Sequence, residues 1–232
     1  MKLKQSVLDL QTRVNDVLGD AVVSSVLNNG ELTIELSPDD ALVNFEHLKN
    51  KLHFDQLIDV CGIDYLSFGE TNWETKTAVN KGFSRGIFDF AEEDDDANLM
   101  KPRRFASVYH LLSIEKNVRI RVKVFPKDTR MPIVPSVVSV WSCSDWFERE
   151  SFDLFGILYE GHPDLRRLLT DYGFIGHPLR KDFPLVGDVE MRYDNEKKRV
   201  VYEPVTITNR VNVPRVIRED KIANAETETQ GG

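Results

Sequence analysis

The sequence lacks the thiols from which a resident iron–sulfur cluster is built. It contains two cysteines among 232 residues, Cys61 and Cys143, and no C-x-x-C pair. A four-thiolate cluster therefore cannot be held by this chain alone. The two cysteines lie far apart in the sequence. A disulfide between them stays open at this level, and two buried free thiols are the favoured interpretation.

Motifs for catalysis and nucleotide binding are missing as well. There is no G-x-x-x-x-G-K-[ST] loop, no G-x-G-x-x-G after a predicted strand and no G-x-S-x-G. The five histidines show no H-x-x-x-H or H-E-x-x-H spacing. We therefore expect no catalytic residue, no cofactor-binding residue and no metal ligand in this chain. A free-standing hydrolase that uses His162, or the Glu148 and Glu150 pair, is the alternative from a different class.

Positive charge in excess and long apolar runs are also absent. The net charge of −8 argues against nucleic acid as a partner. No apolar run approaches the roughly 20 residues that span a bilayer. Residues 1–19 are typical of an amphipathic helix with acidic residues rather than of a signal or transit peptide. We expect no direct insertion into a membrane, so that any association with one would come through partners.

The patterns that are present predict an α+β domain over residues 1–143. Apolar side chains recur at helical spacing, and β-branched runs alternate with polar residues, with a hairpin signal at Asn28-Asn29-Gly30. This order predicts helices packed on a mixed or antiparallel sheet whose other face is wet or faces a partner. Residues 67–104 are predicted to be an inserted acidic loop. The predicted helices are 3–18 and 38–52, and the predicted strands are 21–27, 31–36, 54–66, 105–115 and 118–125.

A two-helix block is predicted over residues 144–190. The first helix starts near Asp145, with Glu148 at the spacing of a capping box, and ends at Gly156. The second starts at Pro163 and ends at Gly173, with an apolar face made by Leu165, Leu168, Leu169 and Tyr172. Residues 191–232 lack the apolar content for a core of their own. They are predicted to be an extended, partner-binding tail with a disordered end.

The block also carries a resemblance to a known family. Glu148-Arg149-Glu150, Asp153-Leu154-Phe155, His162 and Arg166 follow one another at fixed spacing, and LLTDYGFIGHPLRKDFPLVG (168–187) and YEPV (202–205) continue the pattern. Together these residues resemble the C-subunit, also called the 30-kDa-type subunit, of respiratory complex I, the proton-pumping NADH:quinone oxidoreductase. The resemblance is most specific across residues 144–205.

The resemblance implies a structural and assembly role in an enzyme complex, with no catalytic residue in this chain. Such a subunit would lie in the peripheral arm and brace the module that reduces quinone, while the complex couples NADH oxidation to proton translocation. FMN, iron–sulfur clusters and quinone would belong to partner subunits. The D-subunit would be the main neighbour, with the B-, I- and G-subunits also in the arm. The expected location is peripheral, on the cytoplasmic side of the cell inner (plasma) membrane, or on the matrix side in a mitochondrion.

A related assembly is the nearer alternative to complex I. In a ferredoxin- or coenzyme-linked oxidoreductase, or a membrane-bound hydrogenase, the fold and the scaffold role would persist while the electron donor changed. The electron-input subunits that accompany the chain would separate these cases.

Charged residues of the block are predicted to form the partner contact. A basic strip between Gly/Pro turns, in a protein of net negative charge, favours contact with another protein. Internal pairing of its arginines with nearby carboxylates is the competing interpretation, and the two can hold for different residues. The predicted contact residues are Glu148, Arg149, Glu150, Asp153, His162, Arg166, Arg167, Arg180, Lys181 and Asp182.

Overall fold

A computed structural model describes residues 2–66, 68, 102–184, 187 and 189–205. Most of the predicted inserted loop, and residues 206–232 of the predicted tail, lie outside these residues. The helices are α1 (Lys2–Leu18), a short 3₁₀ turn (Gly19–Ala21), α2 (Ala41–Asn50) and α3 (Ser144–Phe155). The strands are β1 (Val22–Asn28), β2 (Glu31–Leu36), β3 (Gln56–Asp64), β4 (Phe105–Ser113), β5 (Val118–Val124), β6 (Ile133–Pro135), β7 (Leu158–Glu160), β8 (Val189–Asp194) and β9 (Arg199–Pro204).

The first five strands form one mixed sheet in the order β1-β2-β5-β4-β3. Strands β2 and β5 run parallel, and the other neighbours are antiparallel. Asn29 and Gly30 close the β1–β2 hairpin with φ angles of 51° and 80°, as the Asn-Gly signal predicted. The predicted α+β class and mixed sheet are confirmed.

The core lies between the helices and the inner face of this sheet. Residues of β2 and β5 alternate in and out, so that Leu32, Ile34 and Leu36 share the inner face with Ile120, Val122 and Val124. Leu10 and Val14 of α1 and Leu48 of α2 pack onto them. The apolar inner face of the sheet explains why the apolar faces of both helices pack on the same side of it.

The outer face of the sheet carries charge, as the alternation in β5 predicted. The Arg121 guanidinium of β5 donates to Glu31 Oε2 at 2.8 Å, and Arg103 makes a two-pronged pair with Glu35 at 2.8 and 2.7 Å. Both arginines are partly exposed. Charged pairs therefore cover the side of the sheet that the helices leave open.

Residues 163–173 form turns and bends instead of the predicted second helix. That prediction is wrong because the backbone amides of this segment are hydrogen-bonded to a side chain of α3, which removes them from a helical ladder. The predicted block therefore contains one helix. The predicted helix 38–52 also starts later, at Ala41, since its first i→i+4 bond joins Asn44 N–H to Asp40 C=O.

The described residues fall into two compact units. One contains residues 2–66 and 102–183, and the other contains Phe68 with 184, 187 and 189–205. Helix α3 belongs to the first unit and packs on β3. In the second unit β8 and β9 pair as an antiparallel hairpin rather than staying wholly extended. The domain boundaries predicted at residues 143 and 190 stay predictions.

The close approach of α3 to β3 depends on Gly62. A Cβ at this position would lie 2.6 Å from the Phe155 ring and 2.9 Å from Ser151 Oγ, both on α3. We expect Gly62→Ala to lower the free energy of unfolding by about 1–3 kcal/mol, because the helix must shift outward. Urea unfolding measures this. Gly173→Ala, which meets nothing within 4 Å, is the matched control, and equal losses in both variants would contradict the packing argument.

Candidate functional site

Helix α3 directs polar side chains into the protein and so organises the segment that follows it. Glu148, Arg149, Ser151 and Asp153 are all buried. The helix ends at Gly156, whose φ of 75° is left-handed and whose N–H bonds to Phe152 C=O at 2.8 Å. This end was predicted from the sequence. A side chain at Gly156 would collide with His177 and Arg180, so the glycine lets the later loop close over the helix terminus.

The buried carboxylate of Asp153 collects five hydrogen bonds from the loop after the helix. Its Oδ2 accepts the N–H groups of Leu168, Leu169 and Thr170 at 3.0, 2.7 and 2.9 Å. Its Oδ1 accepts the Thr170 hydroxyl at 2.6 Å and the Arg167 guanidinium at 2.9 Å. We call residues 163–183 the Asp153 loop. Because three consecutive amides of the loop bond to one carboxylate, the backbone of the loop is fixed more firmly than it would be by side-chain contacts alone.

The hydrogen bonds also set the acidity of Asp153. Burial alone would raise the pKa of this carboxyl, but the bonds from Thr170, Leu169 and Leu168 outweigh burial and hold the pKa well below its usual range. Asp153 is therefore ionised throughout the physiological pH range. It acts as an anionic template for the loop.

Two further residues of the loop bind the carbonyl end of α3. His177 Nδ1 lies 2.9 Å from Asp153 C=O, and Arg180 Nε donates to Phe155 C=O at 2.6 Å. Burial lowers the pKa of His177, so the ring is neutral at pH 7 and donates its Nδ1–H. These donors satisfy carbonyls that the last turn of a helix leaves without a partner.

Glu148 anchors the same helix from its other side. Its Oε2 accepts Ser136 Oγ–H at 2.6 Å and its Oε1 accepts Val137 N–H at 2.8 Å. Burial raises the pKa of Glu148. The predicted capping box is therefore wrong: the Glu148 side chain points inward to the β6 connection, and no side chain caps the helix at Cys143.

A second buried charge cluster ties the end of the Asp153 loop to the sheet. Arg104 binds Asp64 through two bonds of 3.0 and 2.8 Å, and its Nη2 also reaches Asp182 at 2.9 Å. The Lys181 N–H donates to Asp64 Oδ2 at 2.8 Å. Arg104 and Asp64 are almost fully buried, whereas Asp182 is partly exposed. Position 104, predicted as the end of an inserted loop, thus belongs to the core of the first unit.

Most of the predicted contact residues are brought together here, but through bonds within the chain. Arg149 donates to the carbonyls of Arg166 and Arg167. Glu148, Arg149 and Asp153 are buried, so their side chains are not offered to a partner. Arg167 and Asp182 also form ion pairs within the chain, with Asp153 and Arg104 respectively, and Arg180 donates to a backbone carbonyl. Arg166 and Lys181 remain exposed, and Glu150 is half-buried.

His162 makes the local hydrogen bonds predicted for it. Its Nδ1 accepts the Asp164 N–H at 3.0 Å, so Nε2 carries a proton, and Nε2 lies 3.2 Å from Asp145 C=O. The side chain is buried. The ring thus fastens the start of the Asp153 loop to the start of α3.

Exposed apolar side chains of the Asp153 loop are absent from the predicted set of contact residues. The Asp153 loop presents Leu169, Tyr172, Ile175 and Leu179 to solvent, with Tyr172 and Ile175 at least 90% exposed. The predicted second helix had placed Leu169 and Tyr172 on one apolar face. The sequence signal for this exposed surface was the same run of large apolar residues, which was assigned to a helix.

The two cysteines are free thiols, as favoured from the sequence, although Cys143 is exposed rather than buried. Cys61 is half-buried, and burial, then the charge of Asp59, raise the pKa of its thiol.

Cys61, Asp59 and His110 form a group of metal-ligating side chains on the outer sheet face. Sequence reasoning missed this group. Its signal was Asp59 and Cys61 two residues apart in one predicted strand, with His110 in the next.

The fold and this site define a class of protein: an α+β chain in which buried carboxylates hold a charged loop in place, while that loop exposes several large apolar side chains. None of the helices in the described residues combines the length and the apolar character that a membrane span requires. The sequence profile described as "Respiratory-chain NADH dehydrogenase, 30 Kd subunit" matches residues 34–189, more than half of the chain. The chain belongs to this family.

Relatives in several bacteria agree with this assignment. The chain is 70% identical to the C-subunit of the NADH-quinone oxidoreductase of Hydrogenovibrio crunogenus, over 94% of this chain and 98% of that protein. It is 54% identical to the C-subunit of Legionella pneumophila (strain Corby), over 82% and 83% of the two chains. It is 50% identical to that of Coxiella burnetii (strain Dugway 5J108-111), over 95% of each.

A solved structure shares the fold. A chain in the structure of the membrane-bound sulfane sulfur reductase (MBS), an archaeal respiratory membrane complex, superposes with a TM-score of 0.55. The two chains are 18% identical, and the match covers 84% of this chain and 99% of the other. At this identity the likeness concerns the fold alone.

Proposed function

We propose that this chain is a non-catalytic bracing subunit in the peripheral arm of a respiratory NADH:quinone oxidoreductase. It would hold partner subunits in place while NADH oxidation and quinone reduction, coupled to proton translocation, occur in them. FMN, the iron–sulfur clusters and quinone would be held by those partners. The proposal is supported by family membership and by apolar surfaces that the described chain leaves exposed.

The β8–β9 hairpin is the observation that carries the proposal. Cross-strand pairs of the hairpin put Met191 opposite Tyr202 and Tyr193 opposite Val200, so these side chains share one face with Val189. Each of the five is roughly half exposed or more. The opposite face carries the Arg192–Glu203 ion pair. A two-stranded ribbon with one continuous apolar face is a surface that a partner would cover.

The Asp153 loop supplies a second surface of the same kind. Its exposed Leu169, Tyr172 and Ile175 are held on a backbone that is already fixed by Asp153, so little conformational freedom is lost when a partner packs on them. Large aromatic and aliphatic side chains on a rigid backbone are typical of interface anchors. By family, the D-subunit would be the main partner, with the B-, I- and G-subunits nearby, on the cytoplasmic (or matrix) side of the membrane.

Polar substitutions on the apolar face of the hairpin should impair assembly without unfolding the first unit. We expect the double variant Met191→Gln/Tyr202→Gln, expressed in place of the native chain, to lower the yield of chain in the detergent-solubilised complex by about tenfold. Deleting residues 191–220 should have the same effect or a larger one. Quantitative immunoblotting of the purified complex, with circular dichroism of the isolated variant, measures both quantities.

Arg199→Gln is the matched control, since Arg199 lies on the hairpin opposite Asp194 and off the apolar face. It should be incorporated normally. Normal incorporation of the double variant or of the truncated chain would overturn the assignment of the hairpin as a partner contact.

Co-purification in mild detergent tests the function as a whole. A tagged chain should bring down a large particle that oxidises NADH and reduces quinone. If the particle is hydrogenase-like and lacks NADH-oxidising subunits, the bracing role of this chain stands but the electron donor of the complex is not NADH. A lone chain with hydrolytic activity would refute the proposal.

A further inference from the structure

We propose that Asp59, Cys61 and His110 form a binding site for a divalent cation of the Zn²⁺ class on the outer face of the sheet. Asp59 of β3 and His110 of β4 are direct cross-strand partners, and Cys61 lies two residues beyond Asp59 on the same face. The register shifts at the bulge between Leu57 and Asp59. Side chains from paired strands therefore converge on one point of the sheet.

The distances suit ligation after a small adjustment. One ligand atom from each residue lies within 4.8 Å of the other two, and His110 Nδ1 is 4.0 Å from Asp59 Oδ2. In a tetrahedral zinc site, bond lengths of about 2.0–2.3 Å put ligand atoms roughly 3.5 Å apart. Rotation about side-chain bonds of partly exposed residues covers that difference.

The donor set selects the class of metal. One thiolate, one imidazole and one carboxylate match Zn²⁺ and its spectroscopic substitute Co²⁺, whereas Mg²⁺ and Ca²⁺ prefer oxygen ligands throughout. When the cation binds, the Cys61 thiol releases its proton to solvent, and the resulting thiolate and the Asp59 carboxylate supply two negative charges against a dication. Three protein ligands on a half-exposed surface leave a fourth position for water or another donor.

Arg121 competes with the cation for His110. Its Nε–H donates to His110 Nε2 at 3.1 Å, so that the neutral ring carries its proton on Nδ1, the atom that faces Asp59. Ligation through Nδ1 moves that proton to Nε2, which then cannot accept from Arg121. The guanidinium remains held by Glu31 at 2.8 Å and by Thr33 Oγ1 at 3.4 Å. Binding of the cation therefore requires Arg121 to release the ring.

Titration of the purified full-length chain with Co²⁺ tests the site. We expect the thiolate-to-cobalt charge-transfer band of a Co–S bond, which added Zn²⁺ should abolish. Cys61→Ser should lose the band. Cys143→Ser should keep it, and this control is well matched because the chain has only these two cysteines.

Two further variants separate ligation from an accidental thiol adduct. His110→Gln should weaken Co²⁺ binding at least tenfold while the circular dichroism spectrum is unchanged. Arg121→Gln should tighten binding several-fold, because the competing donor and its positive charge are gone. A band that persists in Cys61→Ser, that disappears in Cys143→Ser, or that never forms in the folded native chain would overturn the proposal.

Discussion

Replacing Asp153 with alanine is expected to lower the free energy of unfolding by about 3–5 kcal/mol. The substitution removes the acceptor of three backbone amides and of the Thr170 hydroxyl, and it takes the anionic partner from Arg167. The Asp153 loop should lose its fixed backbone before the sheet unfolds. Urea unfolding gives the loss, and hydrogen exchange of the amides of residues 168–170 should speed up in the native state.

The effect of Asp153 should also depend on pH with a defined sign. The folded-state pKa of its carboxyl is depressed, so its contribution is present above the unfolded value of about 3.9. It is lost as the pH falls below that value toward the folded pKa. The difference in stability between the native chain and Asp153→Asn should therefore be constant near pH 7 and shrink below about pH 4. Asp164→Asn, at an exposed ion pair, should change stability little at any pH. A difference that grows with acidity would contradict an ionised Asp153.

Replacing Asp64 with alanine is expected to cost about 3–5 kcal/mol of unfolding free energy as well. The change removes the two-pronged carboxylate partner of the Arg104 guanidinium, whose side chain is only 3% exposed. It also removes the acceptor of the Leu66 and Lys181 N–H groups. The end of the Asp153 loop should then detach from the sheet, and chemical denaturation with limited proteolysis near residue 181 would detect both effects.

The neighbouring arginine provides the control for Asp64. Arg103 makes an equally short, two-pronged pair with Glu35, but its side chain is 55% exposed. Glu35→Ala should therefore cost only about 0–1 kcal/mol. If Asp64→Ala and Glu35→Ala lower the free energy of unfolding by similar amounts, burial does not decide how much each ion pair stabilises the protein.

The strands were predictable because their periodicity is local. Residues 118–124 alternate apolar and basic side chains, and that alternation fixes which side faces the core wherever one face is buried. Gly156 predicted the end of α3 for a similarly local reason, since a left-handed residue terminates a helix. The family resemblance came from spacing that can be read directly along the chain.

The prediction of a second helix is wrong because the hydrogen-bond partner that decides the structure of this segment is distant in sequence. The spacing of Leu165, Leu168 and Tyr172 is typical of a helix, but the amide of Leu168 bonds to a carboxylate 15 residues earlier. The capping box predicted at Glu148 is wrong for the same reason. The Glu148 carboxylate accepts hydrogen bonds from Ser136 and Val137 rather than from the start of its own helix. The meeting of Asp59 with His110 depends on the β3–β4 register, which spans the predicted insertion. Tertiary contacts override local preference at these positions.

The parallel pairing of β2 with β5 sets an order in which the chain can mature. Thr33 of β2 and Arg121 of β5 are 88 positions apart, and Asp64 bonds to an amide 117 positions later. During synthesis β2 cannot pair with β5 until β5 has left the ribosome. Because synthesis adds about 5–20 residues per second, the edge of β2 that pairs with β5 stays exposed for several seconds. The carboxylates Asp64 and Asp153 are satisfied later still, and the β8–β9 hairpin is made after both. A chain that stops early therefore lacks the apolar hairpin. Under the role proposed for the hairpin, only polypeptides whose core has had time to close would dock on a partner.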